Sequence, residues 1–394
     1  MKRHMHVVAG VAGLVLCACE AHGIIASNVS AAAEGEGDEV GSTDPSEGDA
    51  TGADTISTTG ERGTGNRNTS GFDSIGGTGS GVRWDVDSWD VPKLCFPPQL
   101  PSCDYLGSDP WHAIGLNCPG AKPFEADFSG HQGALAVHHG VLGTHGTFAP
   151  REGERMLILS TGRAADVPRT HAELGCDSLH CPDSAFSTAN SMPVLPPPID
   201  VRRVSDDKQT CAEDPSLVGN GDCSNTLAEE WETGQLAYDY AEVRLKAQVP
   251  ENTDGFAYQF AFFSAEYPLY AELDSPWNDM YIAWLESEAW TGNISFDEHG
   301  HPISINGVFL DYLDAESDRC NEHPCIAPEL DGFAMDGHAG TRWLETVAPV
   351  VPGEFIEVVF AIFDMGDAQM DTVVLLDNVH WDCTDLPPLT HPEG

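Results

Sequence analysis

Residues 255–285 read GFAYQFAFFSAEYPLYAELDSPWNDMYIAWL. Phe256, Tyr258, Phe260 and Phe262 recur at every second position, which sets four aromatics on one face of a β-strand. Pro268 cannot donate to a ladder, so Ser264-Ala265-Glu266-Tyr267-Pro268 marks the strand's exit. A polar loop follows, and Asn278-Asp279 opens a second apolar run from Met280 to Leu285. This pattern predicts two buried strands that hold Glu266 and Asp279 at adjoining ends.

Similar signals flank the pair. From Ala241 to Val249, Val243, Leu245, Ala247 and Val249 alternate with Glu242, Arg244, Lys246 and Gln248, the pattern of a half-buried strand. Met156–Leu159, Gly292–Phe296 and Pro302–Leu310 read as further strands, and Phe355–Phe363 and Thr372–Val379 as strands covered on both faces. Evenly spaced strands without amphipathic helices predict an all-β fold, a β-sandwich of jelly-roll topology over residues 91–386, with 387–394 as a tail. Residues 164–233 read as a long irregular insertion, rich in proline and stapled by cysteines.

The chain carries 18 Lys and Arg against 63 Asp and Glu, a net charge of -45. No nucleic-acid partner fits that balance, because neutralising phosphates takes basic patches. At the N-terminus, Lys2 and Arg3 precede a short apolar run, Val7–Leu16, that is too short to span a bilayer. Leu16-Cys17-Ala18-Cys19 follows, like the lipobox of bacterial lipoproteins. The expectation is a signal peptide over 1–18, lipidation at Cys19, and anchoring in the cell envelope at the outer membrane or cell surface. An ordinary secretory signal is the alternative. Residues 19–90 are dominated by Gly, Ser, Thr, Glu and Asp, which predicts a disordered tether spanning roughly 45 Å.

Ten cysteines from Cys95 to Cys383 remain, an even number that argues for disulfides in an exported chain. Cys176 with Cys181, Cys211 with Cys223, and Cys320 with Cys325 are the expected local staples; paired C-x2-C zinc knuckles are absent. His131, His138, His139 and His145 suggest a metal site, but no HExxH occurs and glycines interrupt the run, so locally bonded histidines are expected.

FSAEYPLY, WNDMYIAWL and IFDMGDAQMDTVVLLDNVHW, with PREGERMLILSTGRAADV and HAGTRWLETVAPVVPGE, together resemble the choice-of-anchor L domain. The resemblance covers about residues 111–383. It implies a β-rich, exported and anchored surface domain, and no activity. The cysteine-rich insertion from Cys176 to Cys223 departs from that pattern.

Asp364, Asp367 and Asp371 fall in the turn between the two most apolar strands, Asp377 lies near the end of the second, and Glu266, Asn278 and Asp279 sit at the other strand ends. Hard oxygen ligands without interspersed Lys or Arg suit calcium. The spacing is not that of an EF-hand, since the twelfth position from Asp364 is Leu375. Asx turns would use the same aspartates. If the strands starting at 256 and 355 are neighbours, the two motifs meet. The expected function is a non-catalytic binding or adhesion module stabilised by calcium, with an extracellular glycan or protein as ligand; Trp277 or Trp290 would stack on a sugar, and core packing is the alternative role for these residues. A hydrolase using Glu266 and Asp279 as acid and base, and a purely structural envelope protein, are the alternatives.

Overall fold

The computed structural model describes residues 94–393 apart from 108, 178, 184–190, 206, 271–276, 308 and 315–324. The signal segment, Cys19, the whole of the tether and Cys320 lie outside the described residues.

Two antiparallel sheets stack face to face. One runs β1 (Glu125–Ser129), β4 (Ala237–Gln248), β12 (Phe355–Met365), β6 (Met280–Glu286) and β7 (Thr291–Asn293), with β8 (Ile303–Ser304) also on β6. The other runs β14 (Leu389–Pro392), β11 (Leu344–Pro349), β5 (Gly255–Ser264), β13 (Thr372–Asp382), β3 (Arg155–Ser160) and β2 (Leu135–His139). There β10 (Ala339–Gly340) joins β5 to the short β9 (Tyr312–Leu313). Within these sheets, β3-β13-β5-β11 and β4-β12-β6-β7 take the strand order of a jelly roll.

Apolar runs as long as β5, β6, β12 and β13 need cover on both faces, and three cores supply it. Phe256, Tyr258, Phe260 and Phe262 point between the sheets; Tyr258 meets Phe360 at 4.6 Å and Phe260 meets Tyr281 at 5.0 Å between ring centroids. On the outer face of the β5 sheet, Ala261 and Phe263 pack under Phe148, Phe333 and Trp343. On the outer face of the β12 sheet, Ile282, Trp284, Val359 and Phe363 lie under Leu195, Ile199, Leu227 and Trp231 of the long insertion. The insertion is therefore a core-forming cover, not a loose loop.

Asp222 pins that cover in place. It is fully buried: Oδ1 accepts the Asn293 N–H of β7 at 3.1 Å and the Ser224 hydroxyl, and Oδ2 accepts the Thr226 and Leu227 N–H groups at 3.0 and 3.2 Å. Disulfides join Cys176 to Cys181 and Cys211 to Cys223, as the spacing predicts, and also Cys103 to Cys118 and Cys95 to Cys383. Cys325 is disulfide-bonded as well.

Four expectations need adjusting. β5 and β12 are not neighbours; they lie in opposite sheets. Among the described residues of the stretch 302–310, Pro302 bridges to Phe296 and Ile303–Ser304 pairs with β6, and the rest is not in a strand. The expected tail contains β14, which adds to β11 through Thr390 opposite Thr346. Trp290 is buried, its indole N–H donating to Asn293 O at 3.3 Å, so it offers no stacking face to a sugar.

Candidate functional site: a buried carboxylate cluster

Antiparallel pairing puts the C-terminal ends of β3, β5 and β12 beside the N-terminal ends of β4, β6 and β13. The register fixes this, with Thr372 opposite Ser264, Val373 opposite Ser160, Phe363 opposite Met280 and Met365 opposite Ala237. The acidic residues that end these strands consequently gather at one end of the sandwich. Glu266, Asp279, Asp364 and Asp371 are all buried there, the first two only 2% and 1% exposed.

The Asp279 carboxylate bridges the sheets. Its Oδ1 accepts the Met365 N–H at 2.9 Å and its Oδ2 accepts the Thr372 hydroxyl at 2.6 Å. The Asp279 N–H points to Glu266 Oε2 at 3.5 Å, and the Glu266 N–H donates to Ser264 Oγ at 3.2 Å. Asp364 and Asp279 act on each other electrostatically: Asp364 lowers Asp279, and the Asp279 charge raises Asp364. The Thr161 hydroxyl accepts the Thr372 N–H at 2.9 Å and supports Asp364.

Burial pushes Glu266 far above the ordinary carboxyl range, and the Asp279 charge adds to it. Burial likewise raises Asp279 and Asp364; the charges that raise Asp364 further come from Asp279, Asp371 and Asp239. Two oxygens stay unsatisfied: Asp364 Oδ1 and Asp239 Oδ2 are buried and have no hydrogen-bond partner. Asp239, pushed up to about 6 by burial and then by Asp371, was not anticipated from the sequence. It sits where β4 has a left-handed residue, φ 44°, outside the alternation that marks the rest of the strand. An acidic residue just ahead of an apolar-periodic run is the signal that was available.

The other expected ligands lie elsewhere or at the rim. Asp367 is half-buried, accepts the Gln369 N–H at 2.9 Å and acts on the cluster through its charge. Asn278 turns away and donates to Glu230 Oε2 at 2.8 Å. Asp377 lies along β13 at a register shift, where its carboxylate accepts the Arg151 N–H at 2.6 Å and burial pushes it up to about 8. It belongs to a separate environment.

No family model, curated protein or solved structure matches this chain. Its chemistry has to be read from the side chains.

The donor set of the cluster is all oxygen, which fits a hard cation and not a soft one. It is not, however, a closed ligand shell. Among the described residues, the carboxylate triad whose oxygens lie within 4.8 Å of one another is Asp314, Asp331 and Asp336, on the surface. The four histidines each have a local contact: His131 accepts the Gly133 N–H, His138 meets Val141 O, His139 faces Glu154 and His145 faces Asp331. None belongs to a grouping of three metal-ligating atoms among the described residues.

The outer rim of the same end is aromatic. Tyr270 and Trp277 meet edge to face at 5.6 Å, and Trp277 is 38% exposed. Large surface grooves of about 730, 820 and 770 Å³ lie elsewhere, along Pro193–Arg203, beside Lys246 and Phe355, and between Trp290 and Pro392; neither Glu266 nor Asp279 lines them.

Proposed function

We propose that the chain is an exported, lipid-anchored surface module of the choice-of-anchor L kind, non-catalytic, that binds an extracellular glycan or protein. Its loop end would carry the ligand, with calcium held among the carboxylates beneath. The reading rests chiefly on one observation: an aromatic pair, Tyr270 and Trp277, stands at the rim of the end whose floor is buried acid. Aromatic faces stack on sugar rings, and a rigid acidic floor would order the loop that presents them.

Hydrolysis is less well supported. A glycosidase needs two carboxyl groups flanking a bond that water can reach. Glu266 and Asp279 are almost wholly buried, and their hydrogen bonds run to the protein's own backbone and hydroxyls.

A glycan and polysaccharide array probed with the full chain, with calcium and with chelator, tests the reading. Binding that needs calcium and falls about tenfold or more in Trp277→Ala is the expected result. An array on which Trp277→Ala and the wild type bind alike would remove the aromatic rim from the function.

A further inference from the structure

The long insertion covers only part of the outer face of the β12 sheet. Beyond Pro198 an open groove of about 820 Å³ runs over the ends of β4, β6 and β12, between Lys122, Pro123, Lys246 and Phe355. Phe355 is 79% exposed, although every other apolar side chain of β12 is buried. An exposed aromatic beside an open groove marks a contact surface.

The groove is also unusual in charge. The chain has 18 basic residues against 63 acidic ones, yet two of the three described lysines meet here. Of the acids alongside, Glu357 is held by Arg244 and Lys246 at 2.5 and 3.0 Å, and Glu286 accepts the Trp284 indole N–H at 2.6 Å. Glu125 is exposed at the margin. Lys122 donates to the Gln248 side chain at 3.4 Å and has no carboxylate partner among the described residues.

The N-terminal part of the chain joins the sandwich next to this groove. The Phe96 N–H donates to Asn252 O at 2.7 Å, and Asn252 lies just past Gln248, which lines the groove. The Cys95–Cys383 disulfide fixes that entry point. Immediately upstream the sequence reads Trp84-Asp85-Val86-Asp87-Ser88-Trp89-Asp90-Val91, in which large apolar and acidic side chains interleave. An extended chain covers about 3.3–3.6 Å per residue, so Trp89 can lie up to about 20 Å from Cys95 and Trp84 farther still.

We propose that Trp84–Val91, which lies outside the described residues, seats in this groove, its indoles on Phe355, Pro123 and Pro198 and its aspartates facing Lys122 and Lys246. Indole rings accept both apolar contact and a lysine over their face. A segment tied beside its site has an effective concentration in the millimolar range, so a contact of roughly millimolar strength is already half occupied. A partner from solution would have to displace it. The seated segment fixes where the chain leaves the sandwich, at the end where β5 and β12 begin, opposite the end that carries Tyr270 and Trp277. The inference does not depend on what that far end binds.

The test is hydroxyl-radical footprinting of the full chain, read residue by residue by mass spectrometry, in the wild type, Phe355→Ser and Lys122→Glu. Both side chains are exposed, so neither substitution opens the core, and near-UV circular dichroism checks the fold. Trp84 and Trp89 should oxidise about threefold or more slowly than in the urea-unfolded chain, and both variants should restore most of that rate while Trp277 is unchanged. Oxidation as fast as in urea would overturn the proposal. So would protection that neither variant relieves, since the segment would then lie elsewhere. Phe355 reports on the other occupants. Protection of Phe355 that appears only in concentrated protein, with Trp84 and Trp89 reactive, would assign the groove to a second copy of the chain. A reactive Phe355 in the wild type at every concentration would leave the groove open. Either result overturns the proposal.

Discussion

Glu266→Gln in the calcium-free protein tests how the cluster is electrostatically held. Glu266 is raised from 4.5 by burial and by Asp279, so the folded state keeps a proton that the unfolded chain releases. Stability therefore falls as pH rises above about 4.5, the unfolded value, and goes on falling until the folded value is reached. From the unfolded value to pH 7 are about 2.5 pH units at about 1.4 kcal/mol each, a ceiling of a little over ~3 kcal/mol lost to this one carboxyl. Gln is nearly isosteric, stays neutral, and can still accept the Asp279 N–H through its carbonyl oxygen. With chelator present, Glu266→Gln should be more stable than wild type at pH 7, by up to about 3 kcal/mol or roughly 5 °C in Tm, and equal to it near pH 4. Thermal melts followed by far-UV circular dichroism from pH 4 to 8 provide the measurement. A variant that is destabilised by the same amount at every pH would refute the reasoning, because packing and not proton burial would then be the role of Glu266.

Asp222→Ala should cost about 3 kcal/mol or more, since it strands several buried N–H and O–H donors, and should speed proteolysis within residues 190–235 ahead of the sheets; equal cleavage rates throughout would contradict its role as the pin of the insertion. Cys19→Ser should move the chain from membrane to soluble fractions, and unchanged membrane association would exclude the lipid anchor. Non-reducing peptide mapping should find Cys320 joined to Cys325, alongside the Cys176–Cys181 and Cys211–Cys223 pairs; a free thiol at Cys320 would sink the local-staple reading.

Much of the strand content was legible because burial leaves a periodic mark on the chain. The aromatics of β5 alternate because one face meets the opposite sheet, and Val358–Phe363 of β12 and Val373–Leu376 of β13 are apolar without a break because both their faces are covered. Strand ends were legible too, since Pro268 and Asn278-Asp279 mark where pairing stops and starts. That is why Glu266, Asp279, Asp364 and Asp371 could be placed at strand ends before any contact was known.

Only the tertiary structure decided which ends meet. Pairing partners are set by hydrogen bonds between residues distant in sequence, and the periodicity of a single strand carries no record of them. β5 and β12 thus proved to face each other across the core, and the two motifs meet through β6 and β13 instead. Asp377 has the same residue type as Asp364 and a similar apolar flank, yet it faces the Arg151 N–H because β13 shifts register between Asp377 and His380. Asp239 joined the cluster only because β4 pairs with β12, setting Tyr238 opposite Asp364. The local chemistry of each acid is a property of the chain; which acids share a site is a property of the fold.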